Sequence, residues 1–347
     1  MRLQHLLQPL VVVLVDDQDP EILVRLAFER SEQSLELLDA PDRRDDKVES
    51  HGLTLTPVPL VSVLLAVHND ARFLGAAVDS VFDQTRRDLE LIVVDDASTD
   101  ETAELLAQIT DRRFVLIRND EQLGLATSLN RGLDRANGTY VARLDADDIA
   151  LPQRLERQLA RIRAAPAVGI VGSGVVDLTA DQKQGKTHLM PAGSRPLRWH
   201  ALFSSPFFHP TVLVDRQVLD EHDLRYDPAF LESEDYDLWT RLFAFTDGDN
   251  VQDALVLKRV HPGQASQHRR ELQESFQRQV ALREISRLAP DVDAELAWRV
   301  GARKQTPRGA RREFLRLLAA FERKHGRDRA VRKAALRALA RAGWSRR

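Results

Sequence analysis

"LVSVLLAVHNDARFLGAAVDSVFDQT" occupies residues 60–85. Its first eight residues, 60–67, are an unbroken apolar run of strand length, and a strand without polar alternation is one covered on both faces. The period then changes. Phe73, Leu74, Ala77, Val78, Val81 and Phe82 recur at helical spacing, with Asn69 or Asp70 at the N-cap position. A buried strand feeding a helix opens a βαβ unit.

The same rhythm continues outward. "LELIVV" (89–94) reads as a strand, and "STDETAELLAQI" as a helix opened by Ser98 with Glu101 three residues later, a capping-box pattern. "RFVLIR" (113–118) is a strand, and Gly124–Asn137 a helix with Gly138 as a left-handed cap. "TYVARL" (139–144), a helix over Pro152–Ala165 and the strand "VGIVGSGVV" (168–176) follow. Alternation of this kind predicts an α/β fold, a mainly parallel sheet with helices on both faces. After residue 180 the rhythm weakens to a loop rich in Gly, Lys and Gln, a short helix around "RPLRWHALF" and a strand "TVLV". A helix from about Glu234 to Phe245, with Leu238, Trp239 and Leu242 as core, precedes the strand "ALVLKRV" (254–260), and from 269 onward the pattern is helical. Residues 1–56 read as strand–helix–strand.

Composition sets bounds. The chain has 347 residues, 43% hydrophobic and 30% charged, which fits a globular protein of about two domains. No apolar run approaches the ~20 residues of a membrane helix, and the N-terminus has no signal-peptide layout. Zero cysteines exclude disulfides and thiolate metal sites, and the expected compartment is cytoplasmic. The net charge of −3 conceals an asymmetry: residues 301–347 hold 16 Lys and Arg against 3 Asp and Glu, a surplus of 13, leaving residues 1–300 at −16. The acidic body is a poor partner for nucleic acid. The basic tail suits either a solvated helical face or peripheral contact of 301–347 with an anionic membrane surface.

Polar residues gather where the strands end. His68, Asn69 and Asp70 follow the first strand, Asp95, Asp96 and Ser98 the second, and Asp145, Asp147 and Asp148 follow "TYVARL". Two carboxylates about 4 Å apart repel by roughly 4 kcal/mol at the effective dielectric near a protein surface. In open parallel sheets ligands bind beyond the carboxyl ends of the strands, so three such clusters on one edge point to a polar site holding a cation. Oxygen ligands without cysteine favour a hard divalent ion, Mg²⁺ or Mn²⁺, which completes its shell with water and substrate phosphates.

"VSVLLAVHN", "LELIVVDDASTD", "LDADD" followed by "LPQRLERQ", and "ESEDYDLWTRL" together resemble glycosyltransferase family 2, inverting nucleotide-sugar enzymes of the GT-A (Rossmann-like) fold. The resemblance covers about residues 57–265, leaving 1–56 as an N-terminal extension and 266–347 as a basic helical C-terminal region. It implies a nucleotide-sugar donor, with UDP as the nucleotide, and a glycan or lipid-linked acceptor. It places the nucleobase against the backbone at Ala66, near Asp70, and against the ring of His68, in the "VHN" stretch where a tyrosine is common in the family. Asp96 is implied to accept from the base imide N–H, Asp145 to lie near ribose or pyrophosphate, and Asp147 to bind the metal. Arg143 is expected to reach the phosphates or to neutralise the acidic cluster. The "SED" sequence makes Asp235 the implied catalytic base and Glu234 its neighbour; a base is needed because the acceptor hydroxyl loses a proton as it attacks. The helix dipole would lower the pKa of a carboxylate placed there. His209, before a strand, is expected on the acceptor side, and His261, after the last strand, at the metal or diphosphate.

Three rivals are weighed against this reading. A sugar-nucleotide pyrophosphorylase would want a Gly-rich basic loop after the first strand, and "AVHNDARF" has none. An aspartyl phosphatase would want Asp-X-Asp-Gly-Thr, which "DADDIA" does not supply. A non-catalytic nucleotide- or glycan-binding relative would have no need of both Asp147 and Asp235.

Overall fold

The computed structural model describes residues 58–179, 181–261 and 269–342. The chain divides into two units between Pro57 and Val58, and the strand–helix–strand expected over 1–56 lies outside the described residues. The first elements are β1 (Val61–Val67), α1 (Ala71–Phe82), β2 (Leu89–Asp95), α2 (Thr102–Ala107), β3 (Phe114–Arg118), α3 (Leu125–Arg135) and β4 (Tyr140–Arg143). Then come β5 (Ile149–Ala150), α4 (Arg154–Arg163), β6 (Val168–Leu178), β7 (Gln184–His188), α5 (Ser194–His200), β8 (Leu213–Asp215), α6 (Arg216–Glu221), α7 (Glu234–Leu242) and β9 (Asp247–Arg259). Four helices follow: α8 (Arg270–Leu288), α9 (Ala294–Gly301), α10 (Ala310–His325) and α11 (Arg329–Ala342).

The strands form one sheet in the order β3-β2-β1-β4-β8-β6-β9-β5, with β7 paired to β6. β1 is parallel to β2 and β4, and β2 to β3. The second half is mixed: β8 runs antiparallel to β4 and β6, β9 parallel to β6, and β5 antiparallel to β9. Alternation along β1 explains its apolar run. Val61, Val63, Leu65 and Val67 pack in one core with Leu74 and Val78 of α1 and Leu155 and Leu159 of α4. Leu64 packs in a second core with Leu129 and Leu133 of α3 and with Leu238, Trp239 and Leu242 of α7. Each large apolar side chain so buried contributes about 1.5–3 kcal/mol.

A third core joins Trp199 of α5 to Ile285, Trp298, Phe314, Phe321 and Val331 from the four C-terminal helices. Phe314, Leu317, Phe321 and Val331 of the basic tail are therefore buried in protein, while Leu315 and Leu336 are exposed. Asp237 ties α7 to α8: it is 1% exposed and accepts from Arg241 Nε at 2.8 Å and Arg283 Nη1 at 2.5 Å. Among the described residues no helix is long and apolar enough to cross a membrane.

Local expectations fail where distant partners win. Ser98 and Glu101 form no capping box. α2 starts at Thr102, whose N–H is taken by Asp100 Oδ1 at 3.0 Å. Ser98 instead donates its N–H to Asp95 Oδ1 at 3.0 Å, and its Oγ accepts the Asn69 N–H at 3.0 Å. Asp70 occupies the N-cap position of α1 without a side-chain capping bond. Gly138 is not left-handed. It is needed for proximity, since a Cβ there would lie 2.5 Å from the Ser62 backbone nitrogen. Within the loop expected after 180, Gln184–His188 is a strand paired antiparallel to β6.

Candidate active site

Parallel β1, β2 and β4 deliver their carboxyl ends to one edge. The turns there are cross-linked by side chains rather than by local caps. Asn69 and Ala97 both adopt left-handed backbone, with φ of 54° and 57°, and Asn69 Oδ1 accepts the Thr99 N–H at 2.7 Å. His68 Nδ1 donates to the Asp96 carbonyl at 2.7 Å while its Nε2 lies 3.1 Å from Asn69 Nδ2. The imidazole is thereby oriented at the end of β1. Ala66, partly exposed, is in register with Val94 of β2.

Asp96 is buried and already well supplied with donors. Its Oδ1 accepts from Asn119 Nδ2 at 2.6 Å and the Leu123 N–H at 2.8 Å, and its Oδ2 from the Gly124 N–H at 2.9 Å. Burial pushes this carboxyl up, but the donors outweigh it and hold it below its usual range. The Ser128 hydroxyl adds a further side-chain hydrogen bond to this carboxylate. Gly124 has φ of 86°, a conformation a side chain would strain. Asn119 also donates to Ser128 Oγ at 2.9 Å and accepts from Arg131. Sequence reasoning missed Asn119 and Gly124; the contact spans more than 20 residues and carries no local signal.

The acidic turn after β4 gathers its three carboxylates. One ligand oxygen from each of Asp145, Asp147 and Asp148 lies within 4.8 Å of the others. Asp148 is 1% exposed; its Oδ1 accepts the Arg259 N–H at 2.9 Å, while Oδ2 has no hydrogen-bond partner among the described residues. His261 Nε2 lies 3.1 Å from Asp147 Oδ2, and Arg259 Nε donates to the Asp147 carbonyl at 2.9 Å. Burial, then the charge of Asp145, raises both Asp147 and Asp148. Asp70 rises to about 7 through burial and the neighbouring Asp147, which places the β1 turn against the β4 turn. Mutually repelling carboxylates, an orphaned buried oxygen and one imidazole make a donor set that suits a hard divalent cation.

The second half of the site is the start of α7. Ser233 enters it in left-handed backbone, φ 62°, setting Glu234 and Asp235 at the helix N-terminus. Asp235 Oδ2 accepts from Ser205 Oγ at 3.2 Å. Burial raises Asp235 to about 6, against the opposing Tyr236 N–H, Ser205 hydroxyl and Arg143 charge; Asp145 adds to the rise. Desolvation thus overrides the downward shift expected from the helix dipole. Glu234 climbs to about 8, first through burial and then through Asp235. His209 is enclosed between Glu234, whose Oε1 is 3.7 Å from Nδ1, and the Tyr226 hydroxyl, 3.0 Å from Nε2. Burial and the Arg143 charge hold it well below the usual imidazole range. The structure gives His209 protein partners on both nitrogens rather than an open face toward an acceptor.

Arg143 joins the two halves. Its Nη2 pairs with Asp145 Oδ1, and its charge acts on Asp235, Glu234 and Asp148. At 3% exposure it lies inside the protein beside these carboxylates. A further buried cation, Arg154, donates through Nη2 to the Arg143 carbonyl at 2.7 Å and is lowered to about 9 by burial and by Arg143.

The family model described as Glycosyl transferase family 2 matches residues 62–222. A glycosyltransferase of Haemophilus influenzae, itself uncharacterised, is 31% identical over 220 residues, covering 60% of this chain and 68% of that protein. Among solved structures, the mannosyltransferase PcManGT of Pyrobaculum calidifontis, in complex with GDP-Man and Mn²⁺, superposes with a TM-score of 0.52 at 17% identity, over 83% of this chain and 88% of that one. S. aureus TarS 1–349 in complex with UDP gives 0.51 at 18% identity, over 83% and 93%.

Proposed function

The chain belongs to glycosyltransferase family 2, and from that premise we propose an inverting, metal-assisted transfer of a hexosyl or N-acetylhexosaminyl group from a UDP-sugar to a hydroxyl of a glycan or lipid-linked acceptor. The observation that carries this reading is the sharing of one buried cation: Arg143 pairs with Asp145 of the acidic turn and also lowers Asp235 across the site.

The donor's base meets His68, the backbone near Ala66 and Asp96, with Asp145 toward the ribose and diphosphate. Asp147, with His261, would hold Mg²⁺ or Mn²⁺, which supplies charge neutralisation to the departing diphosphate. Asp235, ionised above about pH 6, accepts the proton of the acceptor hydroxyl at its carboxylate. Ser205 orients that carboxylate. Glu234, raised to about 8, is protonated at neutral pH, so one negative charge rather than two faces the acceptor. His209 serves as a spacer between Glu234 and Tyr226. Contact with a membrane, if this acceptor is lipid-linked, rests on the exposed arginines of α10 and α11 together with exposed Leu315 and Leu336, since Phe314, Phe321 and Val331 are already buried.

A donor screen tests the proposal: release of nucleoside diphosphate from UDP-sugars and other sugar nucleotides with Mn²⁺ or Mg²⁺. Turnover of a UDP-sugar is expected. Binding of a sugar nucleotide without any turnover, with or without acceptor extracts, would favour the non-catalytic reading instead.

A further inference from the structure

A cavity of about 590 Å³ lies between α5, α8, α9 and α11, outside the acidic turns. Such a volume holds a small ligand of sugar size. Its apolar wall includes Trp199, Phe203 and Trp298, and its polar wall Arg270, Arg303, Arg337 and Arg341. A Lys304–Glu274 ion pair also lines it and cancels itself. The four arginines form no ion pair among the described residues, so the wall carries a surplus of positive charge. Arg303 stands in left-handed backbone at φ 60°, a conformation that costs a non-glycine residue roughly 1–2 kcal/mol. The nearby imidazole of His200, also on the wall, is held near 4 by burial and by Arg303, so it adds no charge at neutral pH.

Asp235 does not itself line the cavity, but two residues beside it connect to the wall. Ser204 lines it, and the next residue, Ser205, holds Asp235 Oδ2 at 3.2 Å. Gln273 lines it, and its carbonyl accepts from the hydroxyl of Ser233, which immediately precedes Glu234. Resting on the reading of Asp235 as the base, we propose that this cavity is the acceptor subsite and that it takes a saccharide carrying an anionic group, a phosphate or a carboxylate. The arginines bind the anion, the aromatic wall meets the apolar face of the sugar ring, and the acceptor hydroxyl is presented toward Asp235.

The test uses the full-length protein with UDP and Mn²⁺ present to occupy the donor side. Binding of glucose 1-phosphate and of methyl glucuronide is compared with that of neutral methyl glucoside by calorimetry or saturation-transfer NMR. One charged probe is expected to bind about 10-fold or more tighter than the neutral one, the scale of a charge-assisted hydrogen bond; which of the two does so identifies phosphate or carboxylate. An Arg303→Glu, Arg337→Glu double variant changes exposed side chains, so its fold is expected to persist and is checked by circular dichroism. It should abolish the preference while leaving UDP affinity and donor hydrolysis unchanged. Equal binding of all three probes, or a preference that survives in the double variant, overturns the subsite. Failure of the wild-type protein to bind or hydrolyse any sugar nucleotide overturns the proposed function itself, a separate outcome.

Discussion

Arg143 is buried against Asp145, bonded to it through Nη2, while its Nε and Nη1 have no hydrogen-bond partner among the described residues. A buried charge costs several kcal/mol in desolvation, which one ion pair repays only in part. What the site gains is a fixed positive potential, felt by Asp235, Glu234, Asp148 and His209 alike. Replacing it with methionine keeps the volume and deletes the charge. Arg143→Met should move the acidic limb of the kcat/KM profile upward by about one pH unit or more. An unmoved limb would show that Arg143 does not tune the base.

In the unmodified protein the same profile should rise through about pH 6, where Asp235 ionises, and level off above it. A general base acts only when deprotonated, so activity at pH 5 should be about a tenth of the plateau. A rate independent of pH between 5 and 7 would remove Asp235 from the chemistry.

Stability should respond to pH in the opposite direction from activity. Asp235 and Glu234 start from ordinary values of 3.8 and 4.5 and are raised to about 6 and about 8. The folded state therefore holds these protons more tightly than the unfolded state. Their stabilising contribution is full below about pH 4 and is lost as pH rises through about 6 and then 8. At pH 8.5 Asp235→Asn should melt higher than wild type by up to about 3 kcal/mol of stability and Glu234→Gln by up to about 5 kcal/mol, with both equal to it at pH 4. Thermal melts at the two pH values check the sign.

Asp237 bonds to Arg241 and Arg283 with both oxygens and is fully enclosed. Asp237→Ala removes one partner from each arginine where α7 meets α8, but Arg283 keeps Glu284 and Thr240 and Arg241 keeps the Arg225 carbonyl, so the loss should be about 1–3 kcal/mol. Urea denaturation measures this; a loss below about 1 kcal/mol would mean the helices are held by their apolar contacts alone.

Chelation should abolish transfer, with Mn²⁺ or Mg²⁺ restoring it, and Asp147→Asn should raise the metal concentration required by about 10-fold or more. Full activity in chelator would contradict the role given to the acidic turn.

Much of this arrangement was readable from residue patterns. The apolar runs of β1 and β2 and the helical spacing in α1 reflect burial, which acts on every residue of an element and so leaves a periodic trace. The crowding of Asp145, Asp147 and Asp148 after β4 was readable because carboxylates so placed repel one another unless a cation or a proton offsets them, whereas Asp235 was singled out only by the family resemblance. Contacts that cross the chain left no such trace. Asn119 and Gly124 show no pattern that marks them as donors to Asp96, and the pairing of exposed β7 with β6 has no apolar alternation to announce it. Ser98 displayed a correct local cap and lost it to Asp95 and Asn69. The C-terminal helices looked equally suited to solvent or a membrane surface, because an apolar stripe does not say what covers it.

The central claim is that one carboxylate accepts the acceptor's proton in a site that binds the donor independently. Asp235→Asn preserves size and the Ser205 contact while removing the base. Measured side by side, sugar transfer by this variant should fall at least about 10³-fold, with UDP-sugar affinity within about threefold of wild type by calorimetry. Transfer persisting near the wild-type rate would contradict the claim outright.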